Sequence, residues 1–164
     1  GDQFEKQDRV ISTRGNRLGC ELGAFSGQKD GLLFDYAFNV KTKFITLHIT
    51  DKFDYMGRGF SFFDPIQKII LLLDGDKLEF TLRAGTKDYS GQTECEKHGC
   101  MKQLSETATG RITLDQLKTI ANAKTIQAKI IGKKREAVLD EAYKIDVNFA
   151  PNTQKFLDAI KDNI

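Results

Sequence analysis

In "IILLLDGDKLEF", Asp74 and Gly75 separate a run of five aliphatic residues from the alternating Leu78, Phe80 and, two residues on, Leu82. A type I′ turn needs positive φ at both central residues. Glycine adopts that conformation without a steric cost and aspartate tolerates it. The pair therefore commits its flanks to an antiparallel hairpin, the strongest short-range constraint in the chain. The same period of two appears upstream. "LLFDYAFNV" places Leu32, Phe34, Tyr36, Phe38 and Val40 on one face and Leu33, Asp35, Ala37 and Asn39 on the other. "FITLHIT" places Ile45, Leu47 and Ile49 inward, with Thr46, His48 and Thr50 outward.

"RVIS", "TGRIT", "TIQAKII" and "AYKIDVNF" read as further strands, the last with Tyr143, Ile145, Val147 and Phe149 on one face. Residues 14–31 hold five glycines, and turns are expected to dominate there. The period changes in "TLDQLKTIANA", where Leu114, Leu117, Ile120 and Ala121 share a helical face. Thr113 and Gln116 have capping-box spacing, which predicts a helix over Leu114 to Asn122. "PNTQKFLDAIKDNI" carries Asn152 or Thr153 as a cap, with Phe156, Leu157, Ile160 and Ile164 on one stripe, and predicts a terminal helix. Seven or eight strands, two short helices and no alternating βαβ series imply a mainly β protein. The expected architecture is an antiparallel two-layer β-sandwich-like domain with a short capped helix and a C-terminal helix; an α+β roll is the alternative. One domain over residues 1–164 is expected, with 1–9 loosely held.

At 164 residues the chain is long enough to bury a core without staples. Its 25 basic and 23 acidic residues carry no clustered basic excess, so nucleic-acid binding is not expected. The densest basic stretch, "GKKRE" at Gly132 to Glu136, reads as a solvated hairpin turn. No apolar run approaches the roughly 20 residues that span a bilayer. The opening "GDQFEKQ" looks like a mature or trimmed start, which leaves room for a signal peptide or lipid anchor upstream.

Two of the three cysteines and one of the two histidines fall in "TECEKHGCMK", residues 93–102. A disulfide between Cys95 and Cys100 is the first reading, and it gains weight if the chain is exported. Zinc is the rival: Cys95, His98 and Cys100 would supply three ligands of a tetrahedral site, with Cys20 or His48 as the fourth. Against it, C-x2-H-x-C lacks the paired C-x2-C knuckles. Cys20 with His98 or His48 as base would be a thiol nucleophile, a pairing open to any cysteine and histidine. "FDYMGRGFSFFDP" packs five aromatics, one methionine and Arg58 into Phe53 to Pro65. Exposed, these rings would make a platform for a sugar or a partner protein, with Tyr55, Arg58 and Phe60 as the binding face. Buried, Phe60 and Phe62 would start a strand and fill the core. "GRGF" and "GAFSG" match neither a phosphate loop nor a nucleophile elbow. Carboxylate pairs such as Asp54 with Asp64 are not set as acid and base, and Asp74 with Asp76 belong to the turn, so no catalytic residue is assigned.

Three segments resemble a pattern found in small uncharacterised bacterial exported proteins and lipoproteins: "IILLLDGDKLEF", "ITLDQLKTIANAKTIQAKIIG" and "NTQKFLDAI". The resemblance covers Ile66 to Ile164 and implies a compartment and a fold rather than an activity. It assigns no functional residue and leaves "CEKHGC" unexplained. The resulting expectation is a non-catalytic extracytoplasmic binding domain of the bacterial envelope. It would be periplasmic, outer-membrane-associated or secreted, with a protein or small ligand as partner and no cofactor. A zinc-dependent or thiol enzyme on Cys20, His48, Cys95, His98 and Cys100 is the second expectation, and a structural envelope protein the third.

Overall fold

The computed structural model describes residues 9–21, 31–55, 62–89, 93–96 and 99–164, with the backbone alone at 54–55, 93–96 and 99–102. Two antiparallel sheets and two helices share one apolar core. The first sheet contains β1 (Val10–Ser12), β2 (Arg17–Gly19), β3 (Gly31–Asn39), β4 (Ile45–Tyr55), β7 (Arg83–Asp88), β8 (Thr93–Glu96) and β9 (Gly99–Arg111). Its order is β1-β3-β4-β9-β7, with β2 also on β3 and β8 also on β9. The second sheet runs β11 (Glu136–Leu139), β10 (Ile126–Gly132), β5 (Ile66–Leu73), β6 (Asp76–Thr81). The helices are α1 (Leu114–Asn122) and α2 (Phe149–Ile160), and a 3-10 turn at Lys161–Asn163 follows α2.

The inward phase of β3 and β4 buries Leu32, Phe34, Tyr36, Phe38, Ile45, Leu47 and Ile49, as their alternation requires. The second sheet answers with Ile69, Leu71, Leu73, Phe80, Ala128 and Ile130. Phe34 joins the layers: its ring lies edge-on to Tyr36 at 5.7 Å, to Phe80 at 5.8 Å and to Phe149 of α2 at 5.3 Å. Leu117 and Ile120 of α1 and Phe156, Leu157 and Ile160 of α2 complete the core.

The β5–β6 turn has the expected geometry, with φ of 52° at Asp74 and 88° at Gly75. The Asp74 carboxylate also accepts from the N–H groups of Thr125 (2.8 Å) and Lys124 (3.0 Å), binding the turn to the segment between α1 and β10. Those bonds, Thr125 first, hold its carboxyl below the usual range. The α1 capping box is closed in both directions, Gln116 N–H to Thr113 Oγ1 at 3.1 Å and Thr113 N–H to Gln116 Oε1 at 2.9 Å.

"AYKIDVNF" is not a strand. It makes one bridge, Gly19 to Ile145, flanked by Cys20 N–H to Lys144 O at 2.8 Å and Asp146 N–H to Leu18 O at 2.9 Å. Asp146 Oδ1 then accepts from Asn148 N–H and turns the chain, so Phe149 opens α2 instead of ending a strand, and Val147 is 83% exposed. Pro151 falls in the first helical turn, where its missing N–H has no partner to lose. Thr153 is therefore inside the helix and not its cap. Its hydroxyl donates to Phe149 O at 3.0 Å and accepts from the Tyr36 hydroxyl at 2.7 Å, both groups being buried.

Candidate functional site

The strand ends at β4, β5, β7 and β10 bring together the 62–65 loop, the 133–135 turn and residues 87–89, with Glu21 beside them. Two carboxylates lie behind this surface. Asp51 on β4 and Glu106 on β9 are register partners on the inward phase, only 4% and 2% exposed. Glu106 accepts from two consecutive main-chain N–H groups, Phe63 (2.8 Å to Oε2) and Asp64 (2.8 Å to Oε1). Such charge-assisted bonds are what a buried carboxylate requires. With both oxygens engaged and the group out of reach of solvent, Glu106 positions a loop and is not placed to act as a nucleophile or general base.

Arg135 closes the other side. Its guanidinium makes a two-pronged ion pair with Glu21 (2.9 and 3.2 Å), lies 3.8 Å from Asp51 Oδ2 and stacks over the Phe63 ring at 3.9 Å from the centroid. The preceding backbone pairs with the same loop: Lys134 N–H donates to Phe63 O at 2.9 Å and Lys133 N–H to Pro65 O at 3.1 Å. Gly132 lets the strand approach this closely, since a Cβ there would meet Phe63 Cβ at 2.4 Å and Phe63 O at 2.6 Å. "GKKRE" is a turn between β10 and β11, as expected, but Arg135 is mostly buried and not solvated.

Asp64 faces outward between two ammonium groups, Lys134 (2.8 Å to Oδ2) and Lys87, the latter in a very short contact. These partners, Lys134 first, lower its carboxyl to about 2, and Asp64 holds the Lys87 ammonium above the usual lysine range. A depressed carboxyl contributes to stability above its unfolded value, and this contribution is lost as pH falls from about 4 toward 2. Beside the triplet runs a chain of rings. Phe53 and Phe62 meet edge-to-face at 5.4 Å, Phe62 and Tyr89 at 5.0 Å, and Lys87 Nζ sits 5.8 Å from the Phe62 centroid. Tyr89 at the outer end is 53% exposed.

The sequence placed a binding face on Tyr55, Arg58 and Phe60. Tyr55 ends β4, its backbone paired with Lys102, and its side chain lies outside the described residues, as do Arg58 and Phe60 entirely. Phe62 does not begin a strand, because β5 starts at Ile66; it is half-buried in the loop while Phe63 enters the core. Glu21, Asp51, Glu106, Lys87, Arg135 and Tyr89 were not assigned from the sequence. Two of them had a legible signal: Asp51 and Glu106 carry charge on the inward phase of an alternating strand.

His48 on β4 and Cys20 beyond β2 lie on elements other than the β8–β9 hairpin that carries Cys95 and Cys100. β8 and β9 oppose Cys95 to Cys100 directly, with His98 and the remaining side-chain positions outside the described residues. His48 opposes Thr109, nine residues along β9 from Cys100, a separation of about 30 Å at strand rise. Cys20 is buried just beyond β2, which pairs with β3 on the edge away from β4 and β9. Cys20 faces the interior while His48 is exposed on the outer face, so the two do not form a dyad. Among the described residues no group of three or more histidine, cysteine, aspartate or glutamate side chains could hold a metal.

Elsewhere, two open grooves of about 570 and 480 Å³ flank residues 142–147, which expose Tyr143 and Val147. Among the described residues no helix is long and apolar enough to cross a membrane. Compared with known proteins, the chain matches no family model, no curated protein and no solved structure.

Proposed function

We propose that the chain is a non-catalytic binding domain of the bacterial envelope, working outside the cytoplasm and engaging its ligand through the aromatic and charged end of the sandwich. The supporting observation is the Phe53–Phe62–Tyr89 chain, with Lys87 and Asp64 beside it. Tyr89 offers a ring that Phe62 already holds in place, so little side-chain entropy remains to be lost on binding. The adjacent ammonium and carboxylate offer a donor and an acceptor, the combination that suits a stacked sugar ring or an aromatic side chain of a partner protein. The extracytoplasmic setting is supported by the resemblance of residues 66–164 to exported proteins and lipoproteins. The buried Glu106 next to this surface spends both its oxygens on the Phe63 and Asp64 N–H groups, which supports a non-catalytic reading.

The test is co-sedimentation of the full chain with isolated bacterial envelope fractions, beside the Tyr89→Ala variant. Retention of the native chain and loss of most retention in the variant is the expected result. Equal retention of both chains would remove the aromatic end from the reading, and retention of neither would remove envelope binding altogether.

A further inference from the structure

We propose that Cys95 and Cys100 join as a cross-strand disulfide that closes the β8–β9 hairpin. The inference stands on backbone register and not on the binding reading. Cys95 is the direct partner of Cys100, one step in from the terminal pair Glu96 and Gly99, with two residues between the strands. Directly opposed residues of an antiparallel pair have Cα atoms about 4.5–5.5 Å apart, inside the roughly 4.4–6.8 Å that a disulfide spans. A one-residue shift of register would have set each cysteine opposite a different residue, so this pairing is specific.

The alternatives fit less well. A tetrahedral zinc site needs four ligands; His48 opposes Thr109, nine residues along β9 from Cys100, and Cys20 follows β2, which pairs with β3 and not with the β8–β9 hairpin. Among the described strands β8 pairs with β9 alone, which puts the two cysteines at an edge of the sheet, where an external oxidant can approach. The chemistry is thiol–disulfide exchange with a low-molecular-weight disulfide. One thiolate attacks a sulfur of RS–SR, an S–S bond forms as the old one breaks, and RS⁻ leaves. The second thiolate then attacks the protein-side sulfur and expels the second RS⁻. Two cysteine thiols are oxidised to one disulfide, RS–SR is reduced to two RSH, and both thiol protons pass to the leaving thiolates. The bond would hold the first half of β9, whose Lys102, Gln103 and Leu104 pair with Tyr55, Asp54 and Phe53 of β4.

The experiment counts thiols in the full chain after equilibration with a mixture of oxidised and reduced glutathione at an oxidising ratio. The protein is acid-quenched, denatured and alkylated with N-ethylmaleimide, with or without prior reduction, and weighed intact. One adduct without reduction, three after it, and a peptide linking Cys95 to Cys100 are expected. Cys95→Ser and Cys100→Ser should each give two adducts in both arms. Amide exchange across 93–104 should accelerate roughly tenfold or more on reduction, since the bond restricts the opened hairpin. Three adducts without reduction, a link involving Cys20, a chain-to-chain dimer, or a zinc adduct in the native mass spectrum would each overturn the proposal.

Discussion

Glu106 joins β9 of the first sheet to the loop that crosses the end of the sandwich. Its two oxygens each accept from a neighbouring N–H, so the side chain fixes both the position and the orientation of the Phe63–Asp64 peptide. Glu106→Gln keeps the shape but turns one acceptor into a donor facing an N–H group. An unsatisfied buried donor costs about 1–3 kcal/mol, and loss of the charge-assisted bond adds to it. A loss of about 2–3 kcal/mol is therefore expected, seen as a lower urea midpoint with unchanged m-value. Tyr36 gives a second residue-level expectation, with a pH signature. Burial pushes its phenol well above the usual tyrosine value, against the hydrogen bond with Thr153. The folded state thus retains a proton that the unfolded chain releases above about pH 10, so this contribution to stability is complete below pH 10 and is lost as pH rises beyond it. Tyr36→Phe removes the hydrogen bond, at about 1 kcal/mol, and the titration with it. The native protein should lead the variant by that margin at pH 7, and the lead should vanish by about pH 11. A gap that stays constant across this range would show that Tyr36 does not carry the linkage.

At the scale of elements, the parts of the chain that could be read in advance are those whose conformation is set locally. Asp74–Gly75, the alternation in β3 and β4 and the Thr113–Gln116 box all act within a few residues, and each appears in the structure as expected. Elements fixed by partners distant in sequence were not legible. β2 is three residues long and exists because Asn16 O and Leu18 O find acceptable donors in Phe34 and Asp146. β7 is exposed along its whole length, so no apolar alternation marks it. Asp51 and Glu106 betrayed themselves only as charges on an inward phase, and nothing in the sequence says that Arg135 and the Phe63–Asp64 peptide come to meet them. Two glycines separate local from distant causes. Gly75 has open space around it but φ of 88°, so Gly75→Ala should cost about 1 kcal/mol through backbone conformation alone. Gly132 has an unremarkable backbone but Phe63 main-chain and Cβ atoms inside contact distance, so Gly132→Ala should cost about 2–3 kcal/mol through overpacking. Chemical denaturation of both variants should preserve that order, and a reversed order would mean that the 62–65 loop yields more easily than its hydrogen bonds imply.

On the scale of the molecule, stability and the proposed function are placed in different side chains. Phe149 is fully buried and edge-on to Phe34 where both sheets and α2 meet, whereas Tyr89 is more than half exposed at the end of a ring chain. Truncating Phe149 to alanine removes a large buried ring and leaves a cavity that three layers must share. Such changes cost about 3–5 kcal/mol, a large part of the roughly 5–15 kcal/mol by which domains of this kind are stable. Truncating Tyr89 deletes an exposed ring that contacts Phe62 from outside, so its effect on folding should stay within about 0.5 kcal/mol. The two variants should therefore divide the readouts: Phe149→Ala lowers the urea midpoint while its remaining folded fraction still binds, and Tyr89→Ala keeps the midpoint while losing envelope retention. If Tyr89→Ala lowered both together, the aromatic chain would be part of the scaffold, and the exposed Tyr143 and Val147 beside the two grooves would become the surface to test next.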